Sequence, residues 1–175
     1  MNNNVFQLHL IFLLLAVWTN GTGQVPVYAW GHSWGSPANE AIISIELDSQ
    51  SNVYGVGRFH GTIDFDPGPD TVSVASIGNA NSVYIIKFDR DGKFLWVKVI
   101  GASLGMDVAG IIKCPNGNYL ITGTFTGDAD FDPGPGTFQL SANNLDTYLM
   151  QIDPDGQFMW AKAIGGTGDE YFSCF

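Results

Sequence analysis

Asp64-Phe65-Asp66-Pro67-Gly68-Pro69 is written a second time as Asp130-Phe131-Asp132-Pro133-Gly134-Pro135, 66 residues later. Chance rarely sets the same six residues in the same order twice. A fixed period of this length marks stacked supersecondary units, so it governs every other reading of the chain. Upstream, Gly57-Arg58-Phe59-His60-Gly61 matches Gly123-Thr124-Phe125-Thr126-Gly127, and Asn52 matches Asn118, at the same spacing. Downstream, Tyr84 to Trp96 matches Tyr148 to Trp160 at a spacing of 64, so the second copy has lost two residues between the phrases. Trp30-Gly31 opens a segment that parallels Trp96.

Inside each copy the patterning is that of strands. Tyr84, Ile86 and Phe88 share one face opposite Lys87, and Tyr148, Met150 and Ile152 share one opposite Gln151. A period of 2 held in both copies predicts a strand. Asp89-Arg90-Asp91-Gly92 and Asp153-Pro154-Asp155-Gly156 then reverse the chain, with glycine in the left-handed position of a bulged hairpin. Phe94–Ile100 and Phe158–Ile164 are the return strands. Simple alternation puts Phe94 and Trp96 on one face and Leu95, Val97 and Val99 on the other. Ala41–Leu47 is rich in Ile and reads as a strand buried on both faces. Val53–Phe59 carries Gly55 and Gly57, which weaken a strand unless another backbone comes close. The second copy offers strands at Val108–Lys113, Tyr119–Phe125 and Thr147–Ile152. Two Pro and a Gly bar a central strand from the signature phrase. The differing connections 71–82 and 137–146 read as loops, and Val27–Trp34 as the last strand of an incomplete unit. Many short strands between Gly- and Pro-rich turns predict an all-β protein.

The length of 175 residues suggests about one domain. Lys and Arg total 7 against 17 Asp and Glu, a net charge of −10. Nucleic acid and anionic membrane surfaces both call for a basic footprint, so that balance argues against them as partners. Val5 to Trp18 is an apolar run interrupted by Gln7 and His9. It is short for a bilayer span, which takes about 20 residues. It fits the core of a signal peptide, although no Lys or Arg precedes it. Small residues follow, which places cleavage near Gly23–Gln24 and leaves a mature, exported chain without a transmembrane span. Gly165-Gly166-Thr167-Gly168-Asp169 begins a third pass, and the chain stops at Phe175 inside what should be a buried strand. The expectation is a fragment of a longer array.

Four strands per unit, the Asp-x-Asp-Gly turn, the Trp on the return strand and the Gly-Gly-x-Gly-Asp link together resemble the SBBP-type bacterial β-propeller repeat. Asn52-Val53-Tyr54-Gly55-Val56-Gly57, Tyr148 to Gly156 and Gly165-Gly166-Thr167-Gly168-Asp169 carry the likeness. It extends over roughly residues 28–175. The Asp-Phe-Asp-Pro-Gly-Pro variant is similar to repeats of secreted proteins from the Bacteroidetes group. The first copy departs from the link pattern at Gly101-Ala102-Ser103-Leu104-Gly105-Met106-Asp107, which is longer. The resemblance implies an extracellular or bacterial cell-surface propeller whose blades neighbour others of a longer chain.

The expected organisation is a signal-peptide helix at 1–23 and the last strand of an incomplete blade at 24–39. Blade repeats follow at 40–101 and 102–166, and the start of a truncated blade at 167–175. That is a partial β-propeller of about two four-stranded antiparallel blades plus flanking strands. A closed propeller takes about 4–8 blades, so two alone form a wedge with exposed edges and an exposed apolar face.

Candidate chemistry is sparse. Asp128, Asp130 and Asp132 alternate, so on a strand they share one face. With carbonyl groups they could supply a calcium ion with oxygens, and Asp64 and Asp66 are the first copy's counterparts. The competing reading is that these carboxylates cap the Pro-Gly turn. Asp89 and Asp91, like Asp153 and Asp155, sit beside Gly but lack the third acidic position and distal Glu of a calcium loop. His32 and His60 are isolated, and no nucleophile elbow, phosphate loop or His-Glu zinc motif is present. Cys114 and Cys174 could pair after export or stay as thiols. Trp30, Trp96 and Trp160 could stack on sugars, but their recurrence favours packing. No catalytic or cofactor-binding residue emerges. Two functions stand: a non-catalytic scaffold, adhesion or ligand-binding propeller with an extracellular protein or glycan partner, or a piece of an exported polysaccharide-acting hydrolase or lyase.

Overall fold

The computed structural model describes residues 29–33 and 40–168. The signal-peptide segment 1–23, most of 24–39, the end of 167–175 and Cys174 lie outside the described residues. Among the described residues the protein is all-β, without a helix, and each strand pairing is antiparallel.

Unit one is a meander of β1 (Ala41–Leu47), β2 (Val53–Phe59), β5 (Ser82–Phe88) and β6 (Phe94–Ala102). Its signature phrase lies between β3 (Thr62–Asp64) and β4 (Ser73–Ala75), which form a separate ribbon. Unit two is a meander of β7 (Gly105–Lys113), β8 (Tyr119–Asp130), β9 (Gln139–Ile152) and β10 (Phe158–Ile164). Here the ribbon is continuous with the long strands β8 and β9. The units join edge to edge where Gly101 and Ala102 of β6 meet Asp130 and Ala129 of β8.

The repeat holds at the level of register. Ala41 faces Arg58 as Asp107 faces Thr124. The first strand of each unit is bulged at the same place, between Ile42 and Ser44 and between Val108 and Gly110. The last strand is bulged at Leu95 in one unit and at Met159 in the other. A bulge inserts one unpaired residue and reverses the alternation beyond it. Phe94, Val97 and Val99 therefore pack on one face, and Trp96 and Ile100 on the other. This corrects the expectation that Phe94 and Trp96 share a face.

Three further expectations are overturned. β1 is not buried on both faces: Ile43, Ile45 and Leu47 are exposed, because β7 packs against one side of β1 and, among the described residues, no strand lies over the other. The connections 71–82 and 137–146 are not simple loops, since they contain β4 and the start of β9. Ala29–Ser33, the described part of the strand expected at Val27–Trp34, is not in a strand.

The core has two parts. One lies between the units and joins Tyr54, Val56, Val83, Ile85 and Ile100 of unit one to Tyr119, Ile121, Phe125, Tyr148, Met150 and Ile152 of unit two. The other covers the opposite face of unit one and holds Phe59, Phe65, Tyr84, Ile86 and Phe88, with Trp30 and Val74 against it. Each unit thus has a front, carrying the Tyr84 or Tyr148 row, and a rear. The rear of unit one packs on the front of unit two.

Candidate functional site

The residues that recur between copies converge on two features: an aromatic cluster within each unit and a tryptophan that reaches into the next. In unit one the Phe59 and Phe65 rings lie 5.3 Å apart at 88°, and Phe65 lies 5.0 Å from Tyr84. In unit two Phe125 and Phe131 lie 5.3 Å apart at 88°, and Phe131 lies 5.1 Å from Tyr148. The phenylalanine of the signature is therefore the plug that ties the ribbon to the front face of its own unit.

The signature carboxylates build the turn that delivers that plug. Asp64 Oδ1 accepts the amides of Asp66 and Val72 at 3.2 and 2.8 Å. Asp130 Oδ1 accepts those of Asp132 and Phe138 at 3.0 and 2.9 Å. Asp66 and Asp132 each accept the following glycine amide at 2.8 Å, from Gly68 and Gly134. Asp128 sits apart from this network and accepts the Ser141 hydroxyl at 2.6 Å. Four of the five calcium candidates, Asp64, Asp66, Asp130 and Asp132, thus cap the turn, whereas Asp128 is a cross-strand acceptor. No group of three or more His, Cys, Asp or Glu is placed to hold a metal among the described residues.

The hairpin turns are equally regular. Asp89 Oδ1 accepts the amides of Asp91 and Lys93, and Asp153 Oδ1 those of Asp155 and Gln157. Gly92 and Gly156 take φ of 83° and 75°, a region that glycine reaches without steric cost. An indole covers each of these glycines. A Cβ on Gly156 would lie 3.0 Å from the Trp96 ring, and one on Gly92 would lie 2.6 Å from the Trp30 ring. The carbonyl of the second turn residue is read from the same side. Pro154 O accepts from the Tyr54 hydroxyl at 3.0 Å and Lys87 Nζ at 3.1 Å. Arg90 O accepts from Trp30 Nε1 at 3.1 Å. The recurring tryptophan is thus a clasp on the hairpin turn that follows it, and at Trp96 the clasp runs from unit one to unit two.

Other contacts reinforce the inter-unit face. Tyr54 and Tyr119 stack with centroids 4.0 Å apart. Arg58 and Asp107 form an ion pair across the units. Burial raises the Tyr148 phenol pKa, and the Asp107 charge adds to the shift. Burial also raises those of Tyr54 and Tyr119.

The isolated residues are scattered. His32 Nε2 lies 2.6 Å from Gly92 O, between the rings of Trp30 and Phe88. Cys114 is a free thiol, half-buried near Gln151. Sequence reasoning missed Asp146. It is buried with an unpartnered Oδ1, and Gly165 has no room for a Cβ beneath it. The aligned residue in unit one is Ser82, whose hydroxyl accepts the Ile77 amide at 2.8 Å. Comparing the copies position by position would have exposed this difference. No protein-family model matches the chain, and no curated protein is significantly similar to it.

Proposed function

We propose that this chain is a non-catalytic repeat module of a secreted or cell-surface β-propeller, acting as a scaffold, adhesion or ligand-binding surface. One observation carries the reading: the chemistry-bearing residues that recur are consumed by the fold. Asp64 and Asp130 close ribbons, Asp89 and Asp153 close hairpins, and Trp30 and Trp96 clasp turns. Two four-stranded antiparallel meanders packed rear to front are compatible with neighbouring blades, which supports the reading. The apolar run at Val5–Trp18 and the resemblance to secreted repeats support export. The Pro67-Gly68-Pro69 and Pro133-Gly134-Pro135 tips, exposed at Gly68, Pro69, Gly134 and Pro135, and the connections beside them, are the surfaces through which such a module would meet an extracellular protein or glycan.

The test pairs binding with turnover. The purified chain is incubated with a panel of neutral and acidic polysaccharides. Retardation is read by affinity electrophoresis, and cleavage by new reducing ends or unsaturated products. Binding without products, or neither binding nor products, fits the proposal. Product release that follows the chain through purification overturns it in favour of a hydrolase or lyase fragment.

A further inference from the structure

Four hairpin turns share one five-residue frame, and one of them is capped differently. In 48–52, 89–93, 114–118 and 153–157 the first residue's amide donates to the fifth residue's carbonyl, and the fourth residue's amide donates to the first residue's carbonyl. The fourth residue has a positive φ in each: Ser51 at 65°, Gly92 at 83°, Gly117 at 88° and Gly156 at 75°. Three of the turns open with an aspartate, Asp48, Asp89 or Asp153, whose Oδ1 accepts the amides of the third and fifth residues at 2.8–2.9 Å. The other opens with Cys114, which offers no oxygen there and takes Gln151 Nε2 on its Sγ at 3.7 Å. Asn118 N turns instead to Asn116 Oδ1, at 3.1 Å. The glycines differ as well. Trp30 and Trp96 cover Gly92 and Gly156, whereas nothing lies within 4 Å of a Cβ placed on Gly117. Asn116 itself is exposed.

We propose that Asn116-Gly117 is a site of spontaneous deamidation and isomerisation in the folded protein, left open to the reaction because no carboxylate caps its turn. The inference does not depend on whether the module binds or cleaves anything. Gly117 N attacks the side-chain carbonyl carbon of Asn116, Cγ. The new C–N bond closes a succinimide ring, and the Cγ–Nδ2 bond breaks. Nδ2 leaves as ammonia, carrying the proton that Gly117 N gives up. Water then opens the ring. Cleavage at one C–N bond gives aspartate, and cleavage at the other gives isoaspartate, whose main chain is one methylene longer. Nothing is oxidised or reduced.

Glycine favours the ring, because it has no Cβ to block the approach and its backbone turns freely. The turn must open for the ring to close, since Cys114 O holds the Gly117 amide at 2.9 Å. In the other three turns a carboxylate holds two further amides against that opening. Such charge-assisted bonds are stronger than the neutral one that Asn116 makes. The Asn118 amide on Asn116 Oδ1 also stabilises the negative charge that the attack places on that oxygen. Asp91-Gly92 and Asp155-Gly156 could reach the same ring by losing water, but each is held by its cap and covered by an indole. Isoaspartate at 116 would lengthen the hairpin between β7 and β8. β7 pairs with β8 alone among the described strands, so it is the element the change loosens.

The experiment ages the purified chain and its Cys114→Asp and Cys114→Ala variants in mildly alkaline buffer, folded and in urea. Peptide mass spectrometry follows each asparagine, and matching thermal melts establish that the variants fold. In the folded wild type Asn116 turns to aspartate and isoaspartate ahead of Asn118 and of the exposed Asn79. Cys114→Asp slows the change about tenfold, as two amides regain a carboxylate, whereas Cys114→Ala stays within about twofold of wild type. In urea all three age alike. The asparagine comparison within the wild type stands whether or not a variant folds. An Asn116 that lasts as long as Asn118, a folded Cys114→Asp that ages like the wild type, a folded Cys114→Ala as slow as Cys114→Asp, or a difference that survives in urea would each overturn the proposal.

Discussion

The Trp96 indole lies over Gly156 so closely that a single added methyl would sit 3.0 Å from its ring. Trp96 belongs to the last strand of unit one and Gly156 to a hairpin of unit two, so this contact joins the repeats. Trp30 stands in the same relation to Gly92, which makes the clasp a property of the repeat and not of one location. A Trp covering the Gly that closes the following hairpin is therefore one device seen in two places, from a strand at Trp96 and from non-strand backbone at Trp30.

Gly57 and Gly123 should resist any side chain. A Cβ at either would lie 2.1 Å from a neighbouring carbonyl oxygen, that of Ala41 or of Asp107, and would press on the Tyr84 or Tyr148 hydroxyl. The obstacle is backbone, which cannot swing aside as a flexible side chain would. Gly57→Ala and Gly123→Ala should each cost about 2 kcal/mol, roughly 4–8 °C in Tm for a chain of this size. Thermal unfolding followed by circular dichroism checks this, and wild-type melting of either variant would contradict it.

The signature phenylalanines should be equivalent. Both are fully buried and both touch a Phe and a Tyr of their own unit with nearly the same geometry. Phe65→Ala and Phe131→Ala should each lose about 3–5 kcal/mol in urea unfolding. A silent Phe65→Ala beside a severe Phe131→Ala would show that the two copies do not do the same job.

The signature carboxylates separate turn capping from metal binding. Asp130→Asn keeps an oxygen where two amides converge, so it should stay within about 0.5 kcal/mol of wild type. Asp130→Ala strands both amides and should cost about 1–2 kcal/mol. Adding calcium or a chelator should leave the Tm of the wild type unchanged. A chelator-induced fall in Tm, reversed by calcium, would instead assign Asp64, Asp66, Asp128, Asp130 and Asp132 to a cation.

Alkaline pH should open the inter-unit face. Tyr54, Tyr119 and Tyr148 all have folded pKa values raised above the free value of about 10, first through burial. The folded state holds their protons more tightly than the unfolded state does. Stability is therefore fully present below about pH 10 and falls as pH rises above it. Ultraviolet titration should show these three phenols resisting ionisation, then ionising together as the fold is lost. Ionisation of all 6 tyrosines near pH 10 with the circular dichroism unchanged would contradict the burial.

The architecture was legible because period and turn chemistry agree. The row of Tyr84, Ile86 and Phe88, the Asp89-to-Gly92 turn and the second copy of each sufficed to place β5, the end of β9 from Thr147 to Ile152 and both hairpins, but not the start of β9. The Leu95 bulge was not legible, since an extra residue leaves composition unchanged yet reverses the faces of Trp96, Val97 and Val99. The exposure of Ile45 was hidden as well. Its neighbours read like those of the buried Ile111, and only the position of the unit within the stack tells the two apart. Asp146 was not legible because a repeat is defined by what its copies share, whereas Asp146 stands out only by differing from Ser82.

The clasp itself can be observed in solution. An indole stacked on a glycine shields that residue's α-protons, so the Gly92 and Gly156 resonances should be shifted upfield in the proton NMR spectrum. Trp96→Leu should return Gly156 to its ordinary position and leave Gly92 shifted, while Trp30→Leu should do the reverse. Unshifted Gly156 α-protons in the folded wild type, or a shift that survives Trp96→Leu, would contradict the packing of the two repeats rear to front.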